Sequence, residues 1–404
     1  MLKEQDRIES LDVIRGFALL GILIMNIQSF SMPGATYLNP AAYGDLNGVN
    51  KWVWIISHVF GDSKFMSLFS MLFGASILLI TEGAERKTGS SLAIHYKRNF
   101  WLLLIGLFHS YIMWHGDILT PYAVIAFMVC PARKMKVRSL LILGTLLFSV
   151  SSVLYLMTAM SIPYMSEADL AGLMSSWQPT SDQIQQEIAA FTGSFSEQLN
   201  ERVKATIGMH TTVFLILFLW RISGLMLIGM ALYKSGFFQG DFSKAFYTRT
   251  VFIAGGIGLV LVTIGVIQNF EHNWSIAYSF FAGSQWNYWG SLGIAIAYVA
   301  IMNIIIKSEM FVSLRLRLAA VGRMALTNYL SQTLIGTFIF YGFGLGLIGQ
   351  VERWGQLLIV FGIWAVQLII SPIWLKHYQY GPVEWLWRSL TQMKAQKMRK
   401  IENG

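Results

Sequence analysis

The side chains best suited to chemistry stand at repeated spacings. Arg15 precedes Asn26 by eleven residues, and Arg98 precedes His109 by the same interval. Eleven residues are three helical turns, about 16 Å of rise, so each pair shares one helix face. His109 lies in an apolar run and is followed by His115 and Asp117. Imidazole is the usual general base near neutral pH, and Asp117 could orient it; the competing reading is a hydrogen-bonded packing histidine. Asn26 reads equally as an interhelical hydrogen-bonding group, and Arg15 as a basic anchor at a membrane face. His58 stands four residues before Asp62, and Asp62 and Lys64 then enter an apolar run, where they pair with each other or with another helix. Arg221 sits deep in the run around Phe218–Gly224. A guanidinium is costly in hydrocarbon and must face a partner: Asp62, Asp117 or a bound anion. Arg323, Asn328 and Gln332 add polar groups to another apolar segment, and Glu384 reads as the partner of an arginine.

The elements that must hold these groups follow from composition. Hydrophobic residues are 55% of the 404 and charged residues 13%, against about 25% charged in a soluble domain. Such a chain cannot clothe a water-facing surface. Aromatic residues at 14%, with 14 Trp, suit interfacial belts. The fold class is all-α: a polytopic transmembrane bundle of about ten helices, a single integral membrane domain over residues 1–404. Apolar stretches long enough to span lie near 13–31, 62–80, 99–115, 118–132, 139–161, 211–233, 247–268, 286–306, 325–347 and 354–375. The acidic residues before the first stretch and its lack of a small-residue cleavage site make it a retained helix rather than a signal peptide.

Orientation follows from Lys and Arg. Lys3, Arg7 and Arg15 precede or open the first span, and alternate connections carry Arg86, Lys87, Lys97 and Arg98; Arg133, Lys134, Lys136 and Arg138; Lys234, Lys244 and Arg249; and Lys307, Arg315, Arg317 and Arg323. The other connections are nearly free of them. This predicts an extracytoplasmic loop at 162–210, a cytoplasmic tail at 377–404, both termini cytoplasmic, and a bacterial inner membrane. Within the loop, the segment from Ser181 has helical pattern and a plausible cap. The net charge of +9 reads as topology signal and contact with membrane lipids; no nucleic-acid motif accompanies it. Cys130 is the only cysteine, and no Cys/His cluster of metal-ligand type is present, so no metal is expected.

The stretches SLDVIRGFALLGILIMN (10–26), KFMSLFSMLFG (64–74), HSYIMWHGDILTPYA (109–123), GRMALTNYL (322–330) and GPVEWLWR (381–388) resemble the YeiB family of bacterial membrane proteins, in order and over nearly the whole chain. The first helix also resembles, more distantly, that of transmembrane acyltransferases. These are the heparan-glucosaminide acetyltransferase group, with Asn at the place of Asn26, and bacterial O-acyltransferases, with His there. That likeness implies transfer of an acyl group, acetyl above all, from cytoplasmic acyl-CoA to an extracytoplasmic small-molecule or glycan acceptor. The former group also carries an essential histidine in its first outer loop, which makes His58 the rival of His109 for the base.

On this reading Arg15, Arg98 and Arg323 bind CoA phosphates, since Arg suits phosphate bidentately. His109 deprotonates the acceptor, Asn26 holds the acyl carbonyl or oxyanion, and Asp117 or Asp62 orients the histidine or neutralises Arg221. Lys64, His58 and Asn328 complete the polar set. The alternative is a transporter or flippase of a small polar or anionic metabolite, with Arg221, His109 and the aspartates along its path; a third is a non-catalytic scaffold. A homodimer is compatible with the sequence.

Overall fold

The computed structural model describes residues 8–88 and 92–400, with the side chains of Lys87 and Thr88 excepted. The expected basic residues Lys3, Arg7 and Lys87 therefore contribute no described side chain, and the last four residues of the tail lie outside the described set. Among the described residues the regular secondary structure is all helical, apart from an isolated bridge between Tyr378 and Arg399. It begins with α1 (Glu9–Ser31), a short α2 (Ala35–Leu38), α3 (Gly48–Phe60), α4 (Lys64–Thr88), α5 (Leu92–Phe108), α6 (Leu119–Val129) and α7 (Val137–Ser161). Residues 162–210 form α8 (Glu167–Trp177), α9 (Ser181–Thr192) and α10 (Phe195–Gly208). Then come α11 (Leu219–Lys234), α12 (Lys244–Thr250), α13 (Gly256–Glu271), α14 (Ser284–Lys307), α15 (Val312–Arg323), α16 (Ala325–Phe340), α17 (Arg353–His377) and α18 (Pro382–Gln392).

The protein is a multi-pass membrane protein. Among the described residues seven helical stretches are long and apolar enough to cross a bilayer: Glu9–Ser31, Gly48–Arg86, Val137–Tyr164, Phe195–Lys234, Lys244–Glu271, Ile276–Lys307 and Arg353–His377. The three remaining apolar stretches of the sequence form shorter helices. The stretch 99–115 becomes α5 plus a wide π-type turn over His109–Met113; 118–132 gives only the eleven residues of α6 before a 3-10 turn; and 325–347 stops at Phe340. The stretch 62–80 is preceded by α3, from which Gly61–Ser63 separates it.

The central helix is α1, with 67% of its most apolar window buried against 28%, 22% and 22% for the stretches Val137–Tyr164, Lys244–Glu271 and Arg353–His377, which form the lipid-facing periphery. Its neighbours include α4, α15, α16 and α17. Small residues bring these helices together, as expected where lipid offers no hydrophobic contrast. A Cβ on Gly16 would fall 2.0 Å from the Leu318 carbonyl oxygen, and one on Gly322 2.0 Å from that of Asp12, so α1 and α15 cross backbone to backbone. Gly74 of α4 and Gly229 of α11 make the same reciprocal contact, with Met226 and Met71.

The connections are sorted to two ends. At one, Asn39 donates to Trp177 O, the Gly34 amide to Glu187, Trp177 to Trp274 O, and Tyr43 to Gly349 O. At the other, Ser10 donates to Phe238 O, Lys234 to Met135 O, Trp387 to Arg98 O, and Arg315 pairs with Glu9. The loop over 162–210 is more regular than its sequence pattern suggested: capping boxes at Thr180/Gln183 and Ser194/Glu197 start α9 and α10 by satisfying otherwise orphaned amides.

Candidate functional site

Three polar clusters emerge. The first joins α3, α4 and α14. His58 and Asp62 are one helical turn apart by number, and the turn between α3 and α4 keeps them together: His58 Nδ1 lies 3.1 Å from Asp62 Oδ2. The turn is tight. Gly61 packs against the Ser57 carbonyl and Ile24, and Ser63 takes a left-handed φ of 65°, a conformation costly outside glycine. Asn287 of α14 donates to Asp62 Oδ2 at 2.7 Å and accepts from Lys64 Nζ at 2.5 Å, while Lys64 also donates to the His58 carbonyl at 2.6 Å. Asp62 and Lys64 are thus coupled through an amide rather than by direct pairing. The Trp54 ring stacks on His58 at 4.8 Å. A carboxylate can only accept, so neutral His58 carries its proton on Nδ1. Its Nε2 makes no hydrogen bond with a described residue, and the side chain stays 14% accessible.

Arg221 lies beside this cluster. Its Nη2 donates to Ser291 Oγ at 3.0 Å and Ser67 Oγ at 3.3 Å, and the guanidinium covers the Tyr288 ring at 4.6 Å. The expected carboxylate partner is not found among the described residues: neither Asp62 nor Asp117 comes within ion-pair distance, and Nε has no partner. Asp62 is already held by His58 and Asn287.

The second cluster surrounds His109 on the π-type turn. Nδ1 meets Asp117 Oδ1 at 2.8 Å and Nε2 meets Thr333 Oγ1 at 2.9 Å. Asp117 also caps α6 by accepting from the Leu119 and Thr120 amides. His109, Asp117 and Thr333 are all buried. The sequence pairing of His109 with Asp117 corresponds to a real contact, but both ring nitrogens are engaged. The turn is further sealed by α10: Arg202 donates to Ile112 O and Thr206 to Ser110 O.

The third cluster lies at the opposite end of α1. Arg15 pairs with Asp12 at 2.9 Å. Arg98 stacks on Trp387 of α18 at 3.8 Å, and Arg15 and Arg388 are close enough to repel its charge. Among the described residues Glu384 forms no ion pair with an arginine, though its charge favours that of Arg98. It caps α16, accepting from the Leu326 and Thr327 amides and the Thr327 hydroxyl; burial pushes its carboxyl up, against the pull of those hydrogen bonds. Arg323 ends α15. Asn328 ties α16 to α17, donating to Ser371 Oγ at 3.0 Å.

Asn26 is half-buried and makes no hydrogen bond with a described residue. It lies one turn before Phe30, which packs on Trp114 beside His109. It therefore shares the face of α1 that carries Arg15, while Gly21 and Ile24, against Phe65 and Gly61, define the face toward α4. Asn26 therefore points away from the α3–α4 turn beside His58, which Ile24 faces. Sequence reasoning missed Asn287, Ser67, Ser291 and Thr333; the first three face the α4–α11–α14 junction, which no spacing within one helix can reveal. Among the described residues no cluster suits a metal ion.

Residues 232–394 match the family described as "Protein of unknown function (DUF418)". The protein described as "Uncharacterized protein YeiB" of Escherichia coli (strain K12) is 34% identical over 394 residues, covering 96% of this chain and 97% of that protein. "Uncharacterized protein YxaH" of Bacillus subtilis (strain 168) is 30% identical over 410 residues, 98% of this chain and 96% of its own length. An "Uncharacterized 39.9 kDa protein in amylase 3'region" from Bacillus acidopullulyticus is 25% identical over 387 residues.

Proposed function

The chain belongs to the family of YeiB and YxaH, and from that premise we propose that it is a transmembrane acyltransferase of the bacterial inner membrane, carrying an acyl group from cytoplasmic acyl-CoA to an extracytoplasmic acceptor. The observation that carries this reading is a separation of parts: converging arginines at one end of α1, and at the other a His–Asp dyad whose second ring nitrogen is open. Arg15 and Arg98, with Arg388, receive the phosphates of CoA in the cytoplasm, and Trp387 holds Arg98 in place. At the outer end the acceptor hydroxyl or amine attacks the thioester carbonyl as His58 Nε2 takes its proton. The carbon–sulfur bond breaks, and the CoA sulfur leaves with that proton. Asp62 holds the imidazole in the required tautomer and stabilises the imidazolium; Asn287 and Lys64 hold Asp62. His109, with both nitrogens occupied, positions the α5–α6 turn.

The test is binding first and chemistry second. Purified protein is heated with a panel of acyl-CoAs, and an upward shift in Tm with at least one is expected, because a ligand of the native state stabilises it. Arg98→Ala should weaken that shift. CoA release in the same samples reports slow transfer to water. If no acyl-CoA shifts the wild-type Tm, the acyltransferase reading is wrong.

A further inference from the structure

The outer cluster places two buried basic side chains, Lys64 and Arg221, near one carboxylate, Asp62, which is held by His58 and Asn287 and forms no ion pair with Arg221. Arg221 is 4% exposed, uses Nη2 on two serine hydroxyls, and leaves Nε unpartnered. Serine hydroxyls and an aromatic face orient a guanidinium but do not neutralise it. A buried charge without a counter-ion is costly, and in a membrane interior such a group marks a functional site. Tyr288 lies against the guanidinium face and fixes its plane, leaving a rigid fork close enough to Asp62, the aspartate of the His58–Asp62 dyad, for the two charges to interact. The planar fork of arginine matches an oxyanion with two parallel hydrogen bonds.

We infer that Arg221 is an oxyanion-binding residue, and that the acceptor carries a phosphate or carboxylate beside the hydroxyl or amine that is acylated. This rests on the acyltransferase reading only for the word acceptor; the anion site itself stands on the geometry of Arg221. The bound oxyanion sits on the guanidinium, where it supplies the direct ion-pair partner that Arg221 lacks among the described residues. Ser67 and Ser291 are positioning residues, since they touch Arg221 and hold its orientation.

The experiment measures thermal stability of the detergent-solubilised full chain at constant ionic strength. Sodium phosphate and sodium acetate are compared with sodium chloride, and, in a separate arm, micelles doped with phosphatidylglycerol are compared with micelles doped with phosphatidylcholine. A saturable rise in Tm with phosphate or acetate beyond chloride identifies a soluble oxyanion; a rise only with phosphatidylglycerol identifies a lipid headgroup. In either case Arg221→Gln should abolish the rise. Arg221→Lys keeps the charge and loses the fork, so its response should need higher ligand concentration; it also serves where Arg221→Gln does not fold. A wild-type Tm that no oxyanion raises beyond its control, or an equal rise in wild type and Arg221→Lys, overturns the inference. Acyl-CoA is absent from every arm, so stabilisation by acyl-CoA without any oxyanion response would reject the anionic acceptor and leave the acyltransferase reading standing.

Discussion

The two histidines separate by what their second nitrogen does. His58 and His109 both present Nδ1 to an aspartate, but Thr333 occupies Nε2 of His109 and nothing described occupies that of His58. His58→Gln should therefore leave folding and acyl-CoA binding intact and slow CoA release by about 10²–10⁴-fold, the usual worth of a general base. His109→Gln should instead lower Tm and spare the rate per folded molecule, because it disturbs a buried pin between the α5–α6 turn and α16. The reverse pattern, measured as CoA release against folded fraction, would return the base to His109. Asn287→Leu provides a second check on the outer cluster. It strands Lys64 and Asp62 without their bridging amide, and an unsatisfied buried partner costs about 1–3 kcal/mol, so urea or thermal unfolding should move accordingly. How much of this was legible depended on distance along the chain. The eight residues from His109 to Asp117 are local, and that pairing is legible in the sequence; Asp62 reads there as the partner of Lys64 or of another helix, and its contact with His58 emerges only from the α3–α4 turn. Asn287 lies 223 residues from Lys64, and Arg221 meets serines on two other helices, so nothing within one segment announces them.

At the scale of elements, apolar length located the helices but not their ends. The three helices outside the seven long apolar stretches, α5, α6 and α16, are those around His109, where a π-type turn continues α5 and Asp117 caps α6. Polar groups at depth interrupted the pattern, and apolar-window length does not register such interruptions. Packing between elements rests on glycines that the sequence motifs contain without explaining. Gly74 faces a carbonyl of α11 and Gly229 a carbonyl of α4, so Gly74→Ala must push apart the two helices that carry Lys64 and Arg221. Overpacking of this kind costs about 1–3 kcal/mol, and the expected result is a lower Tm together with a weaker oxyanion response. At the inner end, Glu384→Ala removes the cap of α16 and should cost about 0.5–2 kcal/mol; Glu384→Gln, which can still accept from the amides, should cost less.

At the scale of the whole molecule, the sorting of connections fixes which loops share a side, and charge predicts which side that is. Residues 162–210 gather with the α1–α3 and α16–α17 connections, whereas Ser10, Met135, Lys234 and Arg315 gather at the far end with α18. The amino-terminal end of α1 and α18 therefore lie together, which requires an even number of crossings. Seven long stretches alone would leave them on opposite sides, so an odd number of further crossings is needed, and α5, α6 and α16 are the apolar helices available for it. The far end carries Arg15, Arg98, Arg133, Lys134, Lys136, Lys234, Arg315 and Arg388, and the Lys/Arg rule predicts that such an end faces the cytoplasm. Cys130 is the only cysteine and is buried, so a Cys130→Ser background accepts single reporter cysteines. Gln185→Cys, on exposed α9, should react with a membrane-impermeant maleimide in intact cells, and Ser313→Cys, on α15, only after permeabilisation. Inverted labelling would place the arginine cluster outside, away from cytoplasmic CoA, and remove the acyltransferase reading with it. Labelling of both sites in intact cells would break the parity argument, since α9 and α15 would then face the same compartment.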